Sequence, residues 1–396
     1  MKNIFKKTIA IILCLSLFGT TQVSACGGIL NTVNTLTDFV ERFVSVFSGS
    51  QNEDADIDFT IEQGKIFKAK KYFSDSHAST VVKMNNGNLM SAFFAGPSEG
   101  HKDVRIWYSI YDGNEWSEPK QMASDDTVAH WNPVLVNYGS YVRLYYKVGM
   151  EIPYWVTKYT DSFDNGKTWT EPKELVPGDT TGGRGPVKNK VLITSDGKII
   201  APASTEQGSW RAFFDISTDG GNTWTKTDFI VAKDSRGKEV GMIQPTLWED
   251  KDGNIHAMFR TQAGRIYRTD STDGGYTWCE AYSTGLMNNN SGIDCVMTDN
   301  GWLWLVYTPV GMEVRNRLIL SVSKDNGETW QDVTTLEESI NLFAEYSYPA
   351  IIADGNNLYI TYTYNRETNF IPNGVNKPEI KEPKIIKEKL GRNVEI

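Results

Sequence analysis

Cysteine and histidine are scarce in this chain of 396 residues, with four of each. Cys14 falls in an N-terminal leader and Cys26 at its end, which leaves Cys279 and Cys295. Neither has a second ligand at metal spacing, so no zinc site is expected. They are free thiols or one disulfide between neighbouring repeats. An excess of basic residues is also missing. Forty Lys and Arg stand against 49 Asp and Glu, a net charge of −9. That balance excludes nucleic acid as a partner, since a phosphate binder needs a basic face. No glycine loop of the phosphate-cradling kind occurs, and no cofactor is implied. Beyond the leader, no apolar run is long enough to span a bilayer.

The leader itself is legible. Lys2, Lys6 and Lys7 precede an apolar run from Ile9 to Phe18, and small residues lead on to Cys26. Val23-Ser24-Ala25-Cys26 looks like a bacterial lipobox, so residues 1–25 are expected to be a signal peptide and Cys26 the lipidated residue. Plain secretion is the alternative; either way the location is extracytoplasmic, and the lipid would be the membrane contact. Residues 26–58 read as the anchor region. Val33, Leu36, Phe39, Val40, Phe43, Val44 and Phe47 recur at helical spacing, followed by a polar linker from Ser48 to Asp58. Residues 59–370 form the main domain. The tail, residues 371–396, is rich in Lys, Glu and Pro, with one short strand expected over Ile385–Glu388.

What the chain has in abundance is one repeated octet. Ser162–Trp169 reads SFDNGKTW, and it returns as STDGGNTW, STDGGYTW and SKDNGETW at Ser217–Trp224, Ser271–Trp278 and Ser323–Trp330. A worn copy, SIYDGNEW, spans Ser109–Trp116, with Tyr111 in place of the Asp. The closing tryptophans lie 52 to 55 residues apart, a period that marks radial or stacked units. Asn-Gly or Gly-Gly supplies the positive φ of a tight turn. The Asp accepts backbone N–H bonds from that turn, and the Trp anchors it to the body of the sheet. One carboxylate per copy is too few for a calcium shell. These octets resemble the Asp-boxes of sialidase-like (neuraminidase-like) β-propellers with BNR repeats.

Between the octets, paired apolar runs cross a glycine turn, as in residues 78–95 and 245–261. Short strands at this spacing predict an all-β chain. Six such pairs predict a six-bladed β-propeller of four-stranded antiparallel sheets with Asp-box turns, seven blades being the alternative. The segment Phe59–Tyr72 is expected to pair with the last blade and close the ring.

In a propeller the binding face lies on the axis, where the innermost strands begin and the loops between second and third strands emerge. The strand starts nominate His77, Trp131, Asn132, Arg184, Lys188, Gln244, Asn290, Ser291, Asp294, Tyr346 and Tyr348. The loops add Lys147, Glu206, Trp210, Arg211, Arg260, Arg265, Arg315 and Arg366. Arginine and lysine crowd this set although the chain is acidic. Guanidinium forks match carboxylates, and aromatic faces suit sugar rings. The expected ligand is an acidic oligosaccharide, and a monomer is expected.

Further stretches resemble one branch of the sialidase-like superfamily: HAST at His77, WNPVL at Trp131, GPVKNK at Gly185, SGID at Ser291, YSYPAI at Tyr346 and TYTYNR at Tyr362. That branch includes rhamnosyl-glucuronate lyases. Sialidases themselves carry Arg-Ile-Pro at the start of the first blade, the first of three arginines on the sialate carboxylate. Here the stretch reads Ser76-His77-Ala78-Ser79. A sialidase also uses a Tyr activated by a Glu, a pair that Tyr346 or Tyr348 with Glu206 or Glu345 would imitate. The resemblance therefore implies a carbohydrate-active enzyme acting on terminal residues of acidic glycans. A uronate-dependent lyase is favoured, with His77, Tyr348, Arg184 and Glu206 as catalytic candidates. An exo-sialidase and a non-catalytic glycan binder are the alternatives.

Overall fold

The computed structural model describes residues 61, 64–67, 71–122 and 127–365, and the backbone of two further strands at Glu367–Ile371 and Lys384–Ile385. The leader, Cys26, the expected anchor helix, the linker and Arg366 lie outside the described residues. No α-helix occurs among the described residues, and a 3-10 turn at Ile152–Tyr154 interrupts the strands.

Five sheets are four-stranded and antiparallel. Their innermost strands are Asp75–Lys83 (blade one), His130–Asn137 (two), Leu192–Ile193 (three), Met242–Glu249 (four) and Asp294–Met297 (five). The sixth sheet departs from this pattern. Tyr346–Asp354, Asn357–Tyr364 and Glu367–Ile371 come from the end of the domain, and Gly64–Lys65 from its beginning completes the row. Gly64 pairs with Phe370 and Lys65 with Asn369, which is the ring closure expected of the segment 59–72. A fifth strand, Lys384–Ile385, pairs in parallel with the start of Asn357–Tyr364. The expectation of six like blades is thus corrected to five regular four-stranded blades and one composite closing sheet.

Hydrogen bonds near the axis stitch neighbouring sheets. Leu135 N donates to Thr80 Oγ1 (3.2 Å), Gln244 N to Ser204 Oγ (3.2 Å), Cys295 N to Thr246 Oγ1 (3.1 Å) and Ile351 N to Asp294 Oδ2 (2.9 Å). Lys147 Nζ donates to Arg184 O (2.6 Å) between blades two and three. His77 Nδ1 and Thr363 Oγ1, 2.8 Å apart, join blade one to the closing sheet. The apolar core is divided in the same way, with one buried cluster at each junction between sheets.

Each Asp-box is a self-contained loop. Asp164 Oδ1 accepts from the backbone N–H groups of Lys167 (3.0 Å) and Thr168 (2.9 Å), and Oδ2 from Thr168 Oγ1 (2.6 Å). Ser162 Oγ accepts from Gly166 N (2.8 Å) and donates to Asp164 (2.9 Å). Asn165 and Gly166 both have positive φ, 59° and 81°. In the worn copy the work passes one residue along, to Asp112, which accepts from Asn114 N and Glu115 N.

The tryptophans correct one detail of the sequence reading. They pack toward the preceding blade and not only onto their own sheet. Trp169 meets Tyr108 at 5.8 Å, Trp224 meets Tyr145 at 6.5 Å and Trp278 meets Phe214 at 4.2 Å between ring centroids. The loop backbone joins in, with Tyr108 Oη donating to Gly166 O and Arg268 Nη1 to Asn326 O. The octets are latches between blades.

Candidate active site

Three innermost strands contain the same local event near their start. Asn132, Gln244 and Tyr348 have φ of 41°, 54° and 51°, beside register shifts in their strands. Ala78 (φ 54°) marks the same place in blade one. A bulge re-aims a side chain, and non-glycine residues rarely hold this backbone region without a surrounding structure that enforces it. Pro133, Pro245 and Pro349 follow three of the four.

Two of these bulged residues meet. Gln244 Nε2 donates to Tyr348 Oη at 3.1 Å. Arg260 Nη1 donates both to Tyr348 Oη (3.0 Å) and to Gln244 Oε1 (3.1 Å), and Arg260 Nε to Asn290 Oδ1 (2.9 Å). Gln244 and Arg260 are buried, 3% and 7% exposed, whereas Tyr348 is only half-buried. The Arg260 guanidinium lies 5.2 Å from the Trp210 ring, and that of Arg315 5.8 Å from the Tyr348 ring. Arg315 Nη1 is paired with Glu345 Oε1 at 2.6 Å. His77 packs its ring 4.2 Å from that of Tyr348. Burial pushes the Glu206 carboxyl up, while Arg260 nearby and a hydrogen bond with Trp210 pull it back. One phenol bonded by an arginine and a glutamine, with a second arginine near its ring and Glu206 near Arg260, is chemically an anion-recognising centre with a candidate nucleophile or acid.

The nominated residues divide accordingly. His77, Tyr348, Glu206, Gln244 and Arg260 come together. Lys188 is close by, its Nζ 6.0 Å from the Tyr348 ring centroid. Its hydrogen bonds go to Asn189 Oδ1 (2.8 Å), Ile293 O (3.0 Å) and Pro349 O. Arg184 is paired off elsewhere, with Asp179 (2.8 Å) and Asp215 (2.8 Å). Lys147 is wholly buried, bonded to Thr157 Oγ1 and Arg184 O, and burial pushes its pKa down to about 7. Arg211 stacks over Phe229 at 4.1 Å, and Arg265 reaches Gly285 O at 2.7 Å. Trp131 is packed against Phe94 and Trp155, its indole N–H donating to Gly149 O. Asn132 is buried at its bulge. Tyr346 is buried against Tyr364, and Asp294 is taken up by Lys190, Thr246 and Ile351 N. Two contributors were not among the nominated residues: Thr363, which holds His77, and Asn189, which donates to the carbonyls of Gln244 and Pro245.

Among the described residues no group of three potential metal ligands occurs, and no helix is long and apolar enough to cross a membrane. Cys279 and Cys295 are both free thiols, which resolves the choice left open by their spacing.

Residues 87–360 match the BNR repeat-like domain. The chain belongs to the BNR repeat-like family. Within it, the propeller is similar to solved structures at low identity, so the likeness is one of fold. A Dyadobacter fermentans protein of unknown function shares 17% identity and a TM-score of 0.65, over 79% of this chain and 98% of that one. The Hadza microbial sialidase Hz136 shares 16% and 0.65, over 78% and 67%. A Trypanosoma rangeli sialidase bound to the inhibitor DANA shares 16% and 0.61, over 78% and 59%. No curated protein matches the chain. The fold expected from the Asp-boxes, a sialidase-like BNR propeller, is the one found.

Proposed function

We propose that the axial face of this BNR repeat-like protein acts on the terminal sugar of acidic glycans, as a sialidase-like exo-hydrolase with Tyr348 as the reacting group. One observation carries the reading: Oη of the half-buried Tyr348 accepts hydrogen bonds from both Gln244 and Arg260. Two donors fix the oxygen and favour negative charge developing near it. A tyrosine nucleophile is the sialidase departure from paired-carboxylate glycosidases. The fold neighbours named as sialidases, one of them solved with sialic acid, support the same chemistry. In this scheme Arg260 and Arg315 take the sugar carboxylate. Tyr348 Oη bonds to the anomeric carbon as its proton passes to a base, for which Glu206 is the candidate. The glycosidic C–O bond breaks and its oxygen takes that proton from Glu206. Water then attacks the same carbon, the bond from that carbon to Tyr348 Oη breaks, and one water proton passes to Tyr348 Oη.

A second reading, the uronate-dependent lyase, is favoured by His77 packed against Tyr348 and by the absence of arginine at the start of blade one. There His77 or Tyr348 would remove the C5 proton. The two are separated by incubating the protein with sialyllactose and with rhamnosyl-glucuronate glycans. Free acidic sugar without new ultraviolet absorbance supports hydrolysis. Absorbance from an unsaturated uronate supports elimination. Binding without either product would make the face a glycan-recognition surface. The leader and the stretch ending at Cys26 support an extracytoplasmic, lipid-anchored location, testable by loss of lipid labelling in Cys26→Ala.

A further inference from the structure

Blade three begins unlike its neighbours. Where blade four has Pro245-Thr246-Leu247-Trp248 and the closing sheet Pro349-Ala350-Ile351-Ile352, blade three has Pro186-Val187-Lys188-Asn189-Lys190. Its innermost strand shrinks to Leu192–Ile193. The three polar residues bond to other sheets instead. Asn189 Nδ2 donates to Gln244 O (3.1 Å) and Pro245 O (3.0 Å), Lys188 Nζ to Ile293 O and Pro349 O, and Lys190 Nζ to Asp294 Oδ2 (2.9 Å) and Cys295 O (2.7 Å). Blades four and five and the closing sheet are all held by one short segment.

The acceptors are not arbitrary. The carbonyls of Gln244, Pro245 and Pro349 belong to the two bulges that turn Gln244 and Tyr348 toward each other. We propose that Lys188, aided by Asn189, is the positioning residue of the site, fixing the Tyr348 bulge and hence the phenol. This rests on the reading of Tyr348 as the reacting group.

Three observations support the assignment. Lys188 is 3% exposed and spends its hydrogen bonds on protein oxygens, so it acts through the backbone and not on the sugar. Lys188 Nζ donates to these carbonyls whether protonated or not, burial pushing its pKa down to about 7 while Asp294 pulls it up. Its passage is also shaped. A Cβ added at Gly292 would lie 3.3 Å from Lys188 Cε and 3.5 Å from Tyr348 Cα, so a glycine leaves the space in which the lysine runs beside the tyrosine. A bulge with positive φ at a bulky residue persists only where its surroundings enforce it, and Lys188 supplies that enforcement at the Pro349–Ala350 peptide, one residue beyond Tyr348.

The test uses the full chain labelled with 3-fluorotyrosine, the Tyr348 fluorine resonance being the one lost in Tyr348→Phe. In Lys188→Met that resonance is expected to shift by more than its linewidth while those of Tyr138 and Tyr159 stay in place. Turnover is expected to drop about 100-fold in kcat with KM little changed, the scale of a small misplacement of a reacting group. Gly292→Ala keeps the lysine but crowds its passage, and is expected to move the same resonance by a smaller amount. An unmoved Tyr348 resonance in folded Lys188→Met overturns the proposal, as does a loss of thermal stability with kcat intact. If Lys188→Met does not fold, Gly292→Ala decides by the same resonance. The fluorine shift needs no substrate, so a protein inactive on every glycan would refute the proposed function and leave this inference standing on its own measurement.

Discussion

Gln244 and Tyr348, 104 residues apart in sequence, share a hydrogen bond of 3.1 Å, and each stands on a backbone of positive φ. Two strained positions on different sheets are therefore spent on bringing one amide to one phenol. Strain of this kind, of the order of 1–3 kcal/mol per residue, concentrates where a side chain must be aimed.

Arg260 completes that contact and is the first residue to remove. Arg260→Met takes away the donor to Tyr348 Oη and Gln244 Oε1. Loss of one such donor costs roughly 10²–10³-fold in kcat. Steady-state rates on the active acidic glycan check it, with Arg265→Met as the contrast. Arg265 reaches only Gly285 O among the contacts described above, and its loss is expected to leave the rate within about 2-fold, as for surface substitutions away from structural features.

The Asp-boxes predict acid sensitivity. Hydrogen bonds from the Thr277 hydroxyl and from the Thr277 and Tyr276 backbone hold Asp273 down at about 2, against burial, which acts the other way. The folded pKa is below the unfolded one, so the stabilisation is present above about pH 4 and fades as pH falls toward 2. Asp273→Asn is expected to lower the thermal midpoint at neutral pH and to converge on the parent protein near pH 2. A constant difference across that window would show that the carboxylate charge is not involved.

The repeat was the most legible part of the sequence because its chemistry is local. A carboxylate bonded to backbone N–H groups three and four residues on leaves a fixed spacing in the chain, as Asp164 does with Lys167 and Thr168. The partner of Trp278 was less legible. Phe214, which it meets at 4.2 Å, is 64 residues away and carries no local mark. The site was half legible. Strand starts and loops point to the axial face, and His77, Tyr348, Glu206, Gln244 and Arg260 follow from that rule. It also admits Arg184, whose Asp215 partner lies on the third strand of its own blade and could not be foreseen from spacing. Lys188 was nominated for a sugar and turned out to serve carbonyls, because nothing in Lys-Asn-Lys announces that the segment leaves its sheet.

Lys147 predicts a pH effect of the same sign as the Asp-boxes, but in an alkaline window. Burial takes it from the ordinary 10.5 down to about 7, with Asp215 raising it and Arg184 lowering it. Between those values the unfolded chain binds more protons than the folded one, so this group makes stability rise with pH from about 7 toward 10. Lys147→Met is expected to flatten that rise, seen by comparing denaturant midpoints at about pH 7 and about pH 9. A slope equal to that of the parent protein would mean that Lys147 stays charged in its bonds to Thr157 Oγ1 and Arg184 O.

The central claim is that the face around Tyr348 recognises a carboxylate on a sugar. Calorimetric titration with sialic acid, glucuronate and galacturonate, each beside its neutral methyl ester, tests it most directly. The account predicts that at least one acid binds, that its ester binds at least about 10-fold more weakly, since a charged hydrogen bond is worth roughly 1.5–3 kcal/mol, and that Arg260→Met erases the difference. Acids and esters binding alike, or no acid binding at all, would contradict it.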